Sequence, residues 1–93
     1  MIRSTKGKLI LDVLNGRPGK GFPVGIFERA SDMLTAIEAA TLVDDLRFPP
    51  GNQLEKLKGD RAGQYSVRIN RQWRYCFEWG PDGPENVELV DYH

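Results

Sequence analysis

Residues 64–79, QYSVRINRQWRYCFEW, decide the fold. Tyr65, Val67 and Ile69 alternate with Ser66, Arg68 and Asn70, and then Trp73, Tyr75, Phe77 and Trp79 alternate with Arg74, Cys76 and Glu78. A period of two marks strands buried on one face. The two apolar sets share that face only if the loop between them has an odd number of residues, because a slip of one residue turns a whole set towards water. The three-residue loop Asn70-Arg71-Gln72 meets this condition. It pairs Ile69 with Trp73 and therefore sets Arg68 opposite Arg74.

Folding alone does not ask for that second pair. Two like charges directly opposed on a sheet face cost from a few tenths to about 1 kcal/mol. Either an acid such as Glu78, Glu88 or Asp91 neutralises them, or an anion sits between them, since guanidinium forks bind phosphate oxygens bidentately. The strand-centre aromatics are expected to be core.

Working outward, Gly80–Pro84 reads as a turn and Asn86–Asp91 as a third strand. Upstream, Ile26, Phe27, Ala30, Met33, Leu34, Ile37 and Ala40 form one helical stripe, and Pro23 suits the first turn of that helix. Lys6–Leu14 has helical spacing and stops at Asn15-Gly16, Leu42–Leu46 fits a further short turn, and Met1–Ser4 fits an edge strand. The expectation is one α+β domain over residues 1–93, with N-terminal helices packed on one face of a small antiparallel sheet of three strands.

Composition leaves this reading open. The chain has 93 residues, 40% of them hydrophobic and 28% charged, as ordinary globular proteins do. No apolar run reaches the roughly 20 residues of a membrane span, and no signal-peptide pattern opens the chain. The one cysteine, Cys76, has no internal disulfide partner, which fits a reducing cytoplasm. The net charge of zero conceals segregation: residues 1–20 carry five basic side chains against one acid, and residues 51–75 carry six against two. Residues 76–93 carry five acids and no Lys or Arg. Two basic stretches brought together would face phosphate. Gly19-Lys20-Gly21 is not a phosphate loop, because the GxxxxGK[ST] pattern and a preceding strand are both missing.

Ahead of the hairpin, Leu54 and Leu57 are expected to point inward, leaving Glu55, Lys56, Lys58 and Arg61 to solvent or substrate. The single histidine, His93, follows Asp91-Tyr92. With one Cys and one His the chain lacks zinc-site spacing, so neither a metal nor another cofactor is expected.

The segments Leu54-Glu55-Lys56-Leu57-Lys58-Gly59-Asp60, Tyr65-Ser66-Val67-Arg68-Ile69-Asn70, Trp73-Arg74 and Asp91-Tyr92-His93 together resemble the HigB branch of the RelE toxin superfamily. That family writes them L-x-x-L-K-G-D, W/Y-S-[IV]-R-[IV], W-R-[IL]-x-F and D-Y-H. Met1–Ser4 and the helix Arg29–Ala40 also fit, so the resemblance covers nearly the whole chain. It implies a microbial-ribonuclease-like fold and cleavage of mRNA in the ribosomal A site. It also implies neutralisation by a helix-turn-helix (HigA-like) antitoxin, through which alone operator DNA is bound. By the same matching, Arg68 and Arg74 fall on transition-state-stabilising arginines, and Tyr92 and His93 on the C-terminal catalytic pair. Glu55 departs from the histidine of several HigB proteins but matches the general-base glutamate of the related YoeB toxins; Thr5 replaces a phenylalanine that bears on packing.

The expected chemistry is attack of the 2′-hydroxyl on its own phosphate. Glu55 takes the proton, His93 protonates the departing 5′-oxygen, and Arg68 and Arg74 hold the charge on the phosphorane. Tyr92 stacks on a base or orients the phosphate, while Lys56, Lys58, Arg61 and Arg71 position RNA backbone. Two other readings stay open on the sequence. One is an inactive relative that only binds ribosome or antitoxin. The other is an interaction domain without an RNA role, which a structure with Arg68 and Arg74 both salt-bridged and covered would favour.

Overall fold

The computed structural model describes residues 1–91. Its sheet has four antiparallel strands in chain order: β1 (Glu55–Lys56), β2 (Gln64–Arg68), β3 (Trp73–Gly80) and β4 (Gly83–Asp91). The register of the central hairpin is the one that side-chain alternation requires. Tyr65 lies opposite Phe77, Val67 opposite Tyr75 and Arg68 opposite Arg74, and the Ile69 amide donates to the Trp73 carbonyl at 2.9 Å. Strand β1 was not expected. It is a two-residue edge, Glu55 opposite Ser66 and Lys56 opposite Tyr65, too short for any periodicity to show.

Helices α1 (Leu9–Leu14) and α2 (Phe27–Ala39) cover one face of the sheet. Ala30, Met33, Leu34 and Ile37 of α2 and Ile10 and Val13 of α1 enter one buried cluster with Val67, Ile69, Tyr75, Phe77, Val87 and Leu89. This is the expected helical stripe packed on the expected strand face. A hydrogen bond crosses the layers: the Tyr75 hydroxyl donates to the Ala30 carbonyl at 2.8 Å. Burial pushes the Tyr75 phenol well above its ordinary range.

The segment before α2 corrects one boundary. Pro23 lies outside the helix, which starts at Phe27 because Gly25 takes a left-handed conformation (φ +84°) that a helix cannot continue through. Residues 1–6 do not form a full strand. They run beside β4, with Arg3 donating to the Pro84 carbonyl and Thr5 bridging Val87 in parallel. There β4 bulges, since Cys76 faces Glu88 but Glu78 faces Glu85, and the extra residue Asn86 adopts φ 52°. Its amide turns to the Ser4 hydroxyl instead of the ladder, at 2.8 Å.

Between α2 and β1 the chain makes 3-10 turns at Val43–Arg47 and Pro50–Asn52. Asp45 caps the first, accepting from the Thr41 and Leu42 amides, and those bonds hold its carboxyl below the ordinary range. Asn52 is buried and its side-chain amide donates to the Leu46 and Phe48 carbonyls, which fixes the loop leading into the sheet edge. No helix among the described residues is long and apolar enough to cross a membrane.

A candidate RNA site on the open sheet face

Strand alternation sends Ser66 and Arg68 of β2, Arg74, Cys76 and Glu78 of β3 and Glu88 of β4 to the face away from the helices, and Glu55 of β1 joins them opposite Ser66. Arg74 is the centre of this face. Its side chain is only 8% exposed, yet its guanidinium is well satisfied. Nη1 donates to the Ser66 hydroxyl at 2.7 Å and to the Gln53 carbonyl at 3.3 Å, and Nη2 reaches Gln53 Oε1 at 3.4 Å. Nη2 also pairs with Glu55 Oε1 at 3.0 Å. Gln53 can turn its carbonyl this way because it closes the Pro50–Asn52 turn in a left-handed conformation, φ 46°.

Among the described residues, the acid seen to pair with Arg74 is Glu55. Among the described residues Glu88 instead pairs with Arg61 at 3.5 Å, Glu78 accepts from Asn86 and Asp91 accepts from Gln72. Glu55 is 52% exposed, so one carboxylate oxygen is held by a buried cation while the group stays open to a substrate. Arg68 is different. Its Nε donates to the Asn70 carbonyl at 3.1 Å, and no described carboxylate pairs with it. The condition that would have favoured a pure interaction domain, both arginines bridged and covered, is met by Arg74 and not by Arg68.

The other expected RNA contacts divide. Arg61 borders the same face through Gln64 and Glu88. Lys58 is exposed just before the Gly59–Arg61 turn, and Arg71 is exposed at the tip of the hairpin beside Arg68. Lys56 does not join Glu55: opposite Tyr65, it leaves the strand towards the other side. Tyr92 and His93 lie outside the described residues; the last described residue, Asp91, is opposite Trp73, next to Arg74. Gln53, Ser66 and Asn52 were missed. Ser66 was legible, since alternation puts it on the arginine face, whereas no pattern marks Gln53.

Cys76 is buried beneath this face, and burial pushes its thiol up, opposed by the nearby Arg61. It is a packed neutral group and a poor nucleophile. Among the described residues no cluster of three or more His, Cys, Asp or Glu is placed to hold a metal ion.

Comparison with known proteins agrees with this architecture. Residues 16–93 match the family described as RelE-like toxin of type II toxin-antitoxin system HigB. The chain is 46% identical over 60 residues to Toxin HigB-1 of Vibrio cholerae, a match spanning 64% of this chain and 62% of that protein. It is 31% identical over 93 residues to Endoribonuclease HigB of Proteus vulgaris, covering all of both. The YoeB-YefM complex from Staphylococcus aureus contains a chain of the same fold, with a TM-score of 0.62 at 18% identity, covering 100% of this chain and 98% of that one. The chain belongs to the HigB family of RelE-like type II toxins.

Proposed function

We propose that this protein is the toxin of a type II toxin–antitoxin pair and cleaves mRNA on the ribosome, in the cytoplasm, without a metal. One observation carries the reading: a buried, well-oriented arginine (Arg74) holds an exposed carboxylate (Glu55) on the same sheet face, directly across from an arginine (Arg68) that has no carboxylate partner among the described residues. A base, a fixed cation and an open cation around one space suit attack of a 2′-hydroxyl on the adjacent phosphate. The endoribonuclease name of the Proteus vulgaris relative supports the same activity.

In this scheme Glu55 removes the 2′-hydroxyl proton with the oxygen not committed to Arg74. Attack builds negative charge on the non-bridging phosphate oxygens, and Arg74 and Arg68 hold it. Ser66 and Gln53 keep the Arg74 fork in place, so little reorganisation is needed as charge develops. His93 gives its proton to the departing 5′-oxygen and Tyr92 orients the strand. The products are a 2′,3′-cyclic phosphate and a 5′-hydroxyl. A HigA-like helix-turn-helix antitoxin neutralises the protein and carries the complex to operator DNA. The YoeB-YefM neighbour is itself a toxin–antitoxin complex, which supports an antitoxin partner.

Primer extension after induction tests the reading. New 5′ ends are expected within translated transcripts, and none with Arg74→Ala or on untranslated copies of the same RNA. Absence of new ends with the wild-type chain, alongside ribosome or antitoxin binding, would make it a binding module.

A further inference from the structure

Beside the Arg68/Arg74 pair, two adjoining clefts of about 270 and 380 Å³ run between α2 and the tip of the β2–β3 hairpin, sharing Arg29 and Ile69. The larger is lined by Arg29, Arg68 and Arg71 with Gly51 and Asn70. The smaller has an apolar wall that includes Met33, Pro49 and Phe48, a residue 71% exposed.

Three arginines gather here, and their charges are not balanced by ion pairs among the described residues. Arg47, Arg61 and Arg74 each have a carboxylate partner, but Arg29, Arg68 and Arg71 have none among the described residues. Two of the three are nevertheless held in place. Arg29 Nε donates to the Ile69 carbonyl at 2.7 Å and Arg68 Nε to the Asn70 carbonyl at 3.1 Å. Anchoring through Nε fixes the plane of each guanidinium and leaves its terminal nitrogens available. Like charges gathered without a counter-charge raise the energy of the empty cleft, and an anion lowers it.

We propose that this double cleft is a nucleotide subsite flanking the scissile phosphate: Arg29, with Arg68 and Arg71, binds the neighbouring phosphate of the mRNA strand, and Phe48 stacks on its base. The proposal rests on the RNA-cleaving function above and adds Arg29 and Phe48 to the binding surface. Cations interleaved with an exposed ring suit a single-stranded nucleotide. They suit an acidic peptide less, because its carboxylate side chains offer the ring no aromatic surface to stack on. Asp32 lines the ring cleft and not the arginine cleft, so it repels phosphate from the ring side and accepts from base amino groups. The substrate strand is the source of the phosphate, since Arg68 belongs to both the cleft and the pair that faces Arg74.

The test uses Arg29→Gln, which keeps a donor for the Ile69 carbonyl, and Phe48→Ala, at a side chain the fold barely needs. Binding of a fluorescent 2′-O-methyl RNA hexamer is measured across salt concentrations, together with cleavage of ribosome-bound mRNA. Each variant is expected to bind about tenfold more weakly and to raise KM with kcat little changed. Arg29→Gln is expected to lower the slope of log affinity against log salt by about 0.7, and Phe48→Ala to leave it unchanged. Wild-type cleavage with both variants matching it in binding and KM would overturn the subsite and leave the enzyme standing. Weakened binding only to mRNA-free ribosomes, or only to the antitoxin, would overturn it equally. If the wild type cuts nothing, the function fails, and the hexamer decides the subsite alone: weaker, less salt-dependent binding by Arg29→Gln supports it, and no binding by the wild type overturns it.

Discussion

Arg74 and Glu55 form an ion pair on which both the fold and the proposed chemistry draw. A buried arginine without partners would be strongly destabilising, and four acceptors from Gln53, Ser66 and Glu55 remove that penalty. The same bonds fix the orientation of the guanidinium on the face that also carries Arg68. Arg74→Ala is expected to lower kcat by about 10²–10³-fold, the usual loss when a preorganised oxyanion donor is removed. Because it strands Ser66 and Gln53 oxygens, Arg74→Lys is the companion: it keeps the charge but not the fork, and single-turnover cleavage should still be severely slowed while antitoxin binding is retained. A toxic, cleaving Arg74→Lys protein would take bidentate contact out of the mechanism. Glu55→Ala is expected to lose less than Arg74→Ala, because in the proposed scheme the ribosome helps align the 2′-hydroxyl; comparing kcat for the two variants checks the order. The arginine pair was legible from the hairpin alternation alone. Its neutraliser was not, because Glu55 reaches Arg74 through a two-residue edge strand that no sequence period announces.

At the scale of elements, α2 and β3 are coupled by more than apolar packing. The Tyr75 hydroxyl reaches the helix carbonyl of Ala30 from the strand that also carries Arg74. Tyr75→Phe is expected to cost about 1 kcal/mol, the net worth of one buried hydrogen bond, read from denaturant midpoints with an unchanged m-value. An unaltered midpoint would mean that water or another donor satisfies Ala30. The hairpin offers a second test. Inserting one residue into Asn70-Arg71-Gln72 gives the loop an even length, which drives Trp73, Tyr75 and Phe77 away from the core, so the chain is expected to lose its cooperative thermal transition. The register was readable because parity excludes every even loop length, and the three-residue loop Asn70-Arg71-Gln72 meets the condition that remains. The start of α2 was not, because the left-handed Gly25 overrides the preference of Pro23 for a first helical turn. The segment 1–6 also escaped, since its pairing depends on the bulge at Asn86, eighty residues away in sequence.

Over the whole molecule, the helices close one face of the sheet and the charged side chains that matter collect on the other and at the hairpin tip. A net charge of zero is compatible with this, because that face carries both signs: Glu55, Glu78 and Glu88 lie among Arg61, Arg68 and Arg74, and two of these arginines are paired there. The buried groups also set a pH limit. Burial raises Cys76 above its ordinary 9.0 and Tyr75 above 10.0 in the folded chain, so the unfolded chain releases these protons first. The stability they contribute is intact below about pH 9 and is lost as pH climbs past the unfolded-state values. Thermal melts should therefore show Tm falling between pH 8 and pH 11, and an equal Tm at both ends would contradict the burial of these groups. For the central claim, that an RNA 2′-hydroxyl attacks its own phosphate between Arg68, Arg74 and Glu55, the most direct measurement is the chemistry of the cut ends. Fragments of a ribosome-bound transcript cleaved by the purified protein should carry 2′,3′-cyclic phosphate and 5′-hydroxyl termini, whereas 3′-hydroxyl and 5′-phosphate termini would show that water, and not the substrate, was the nucleophile.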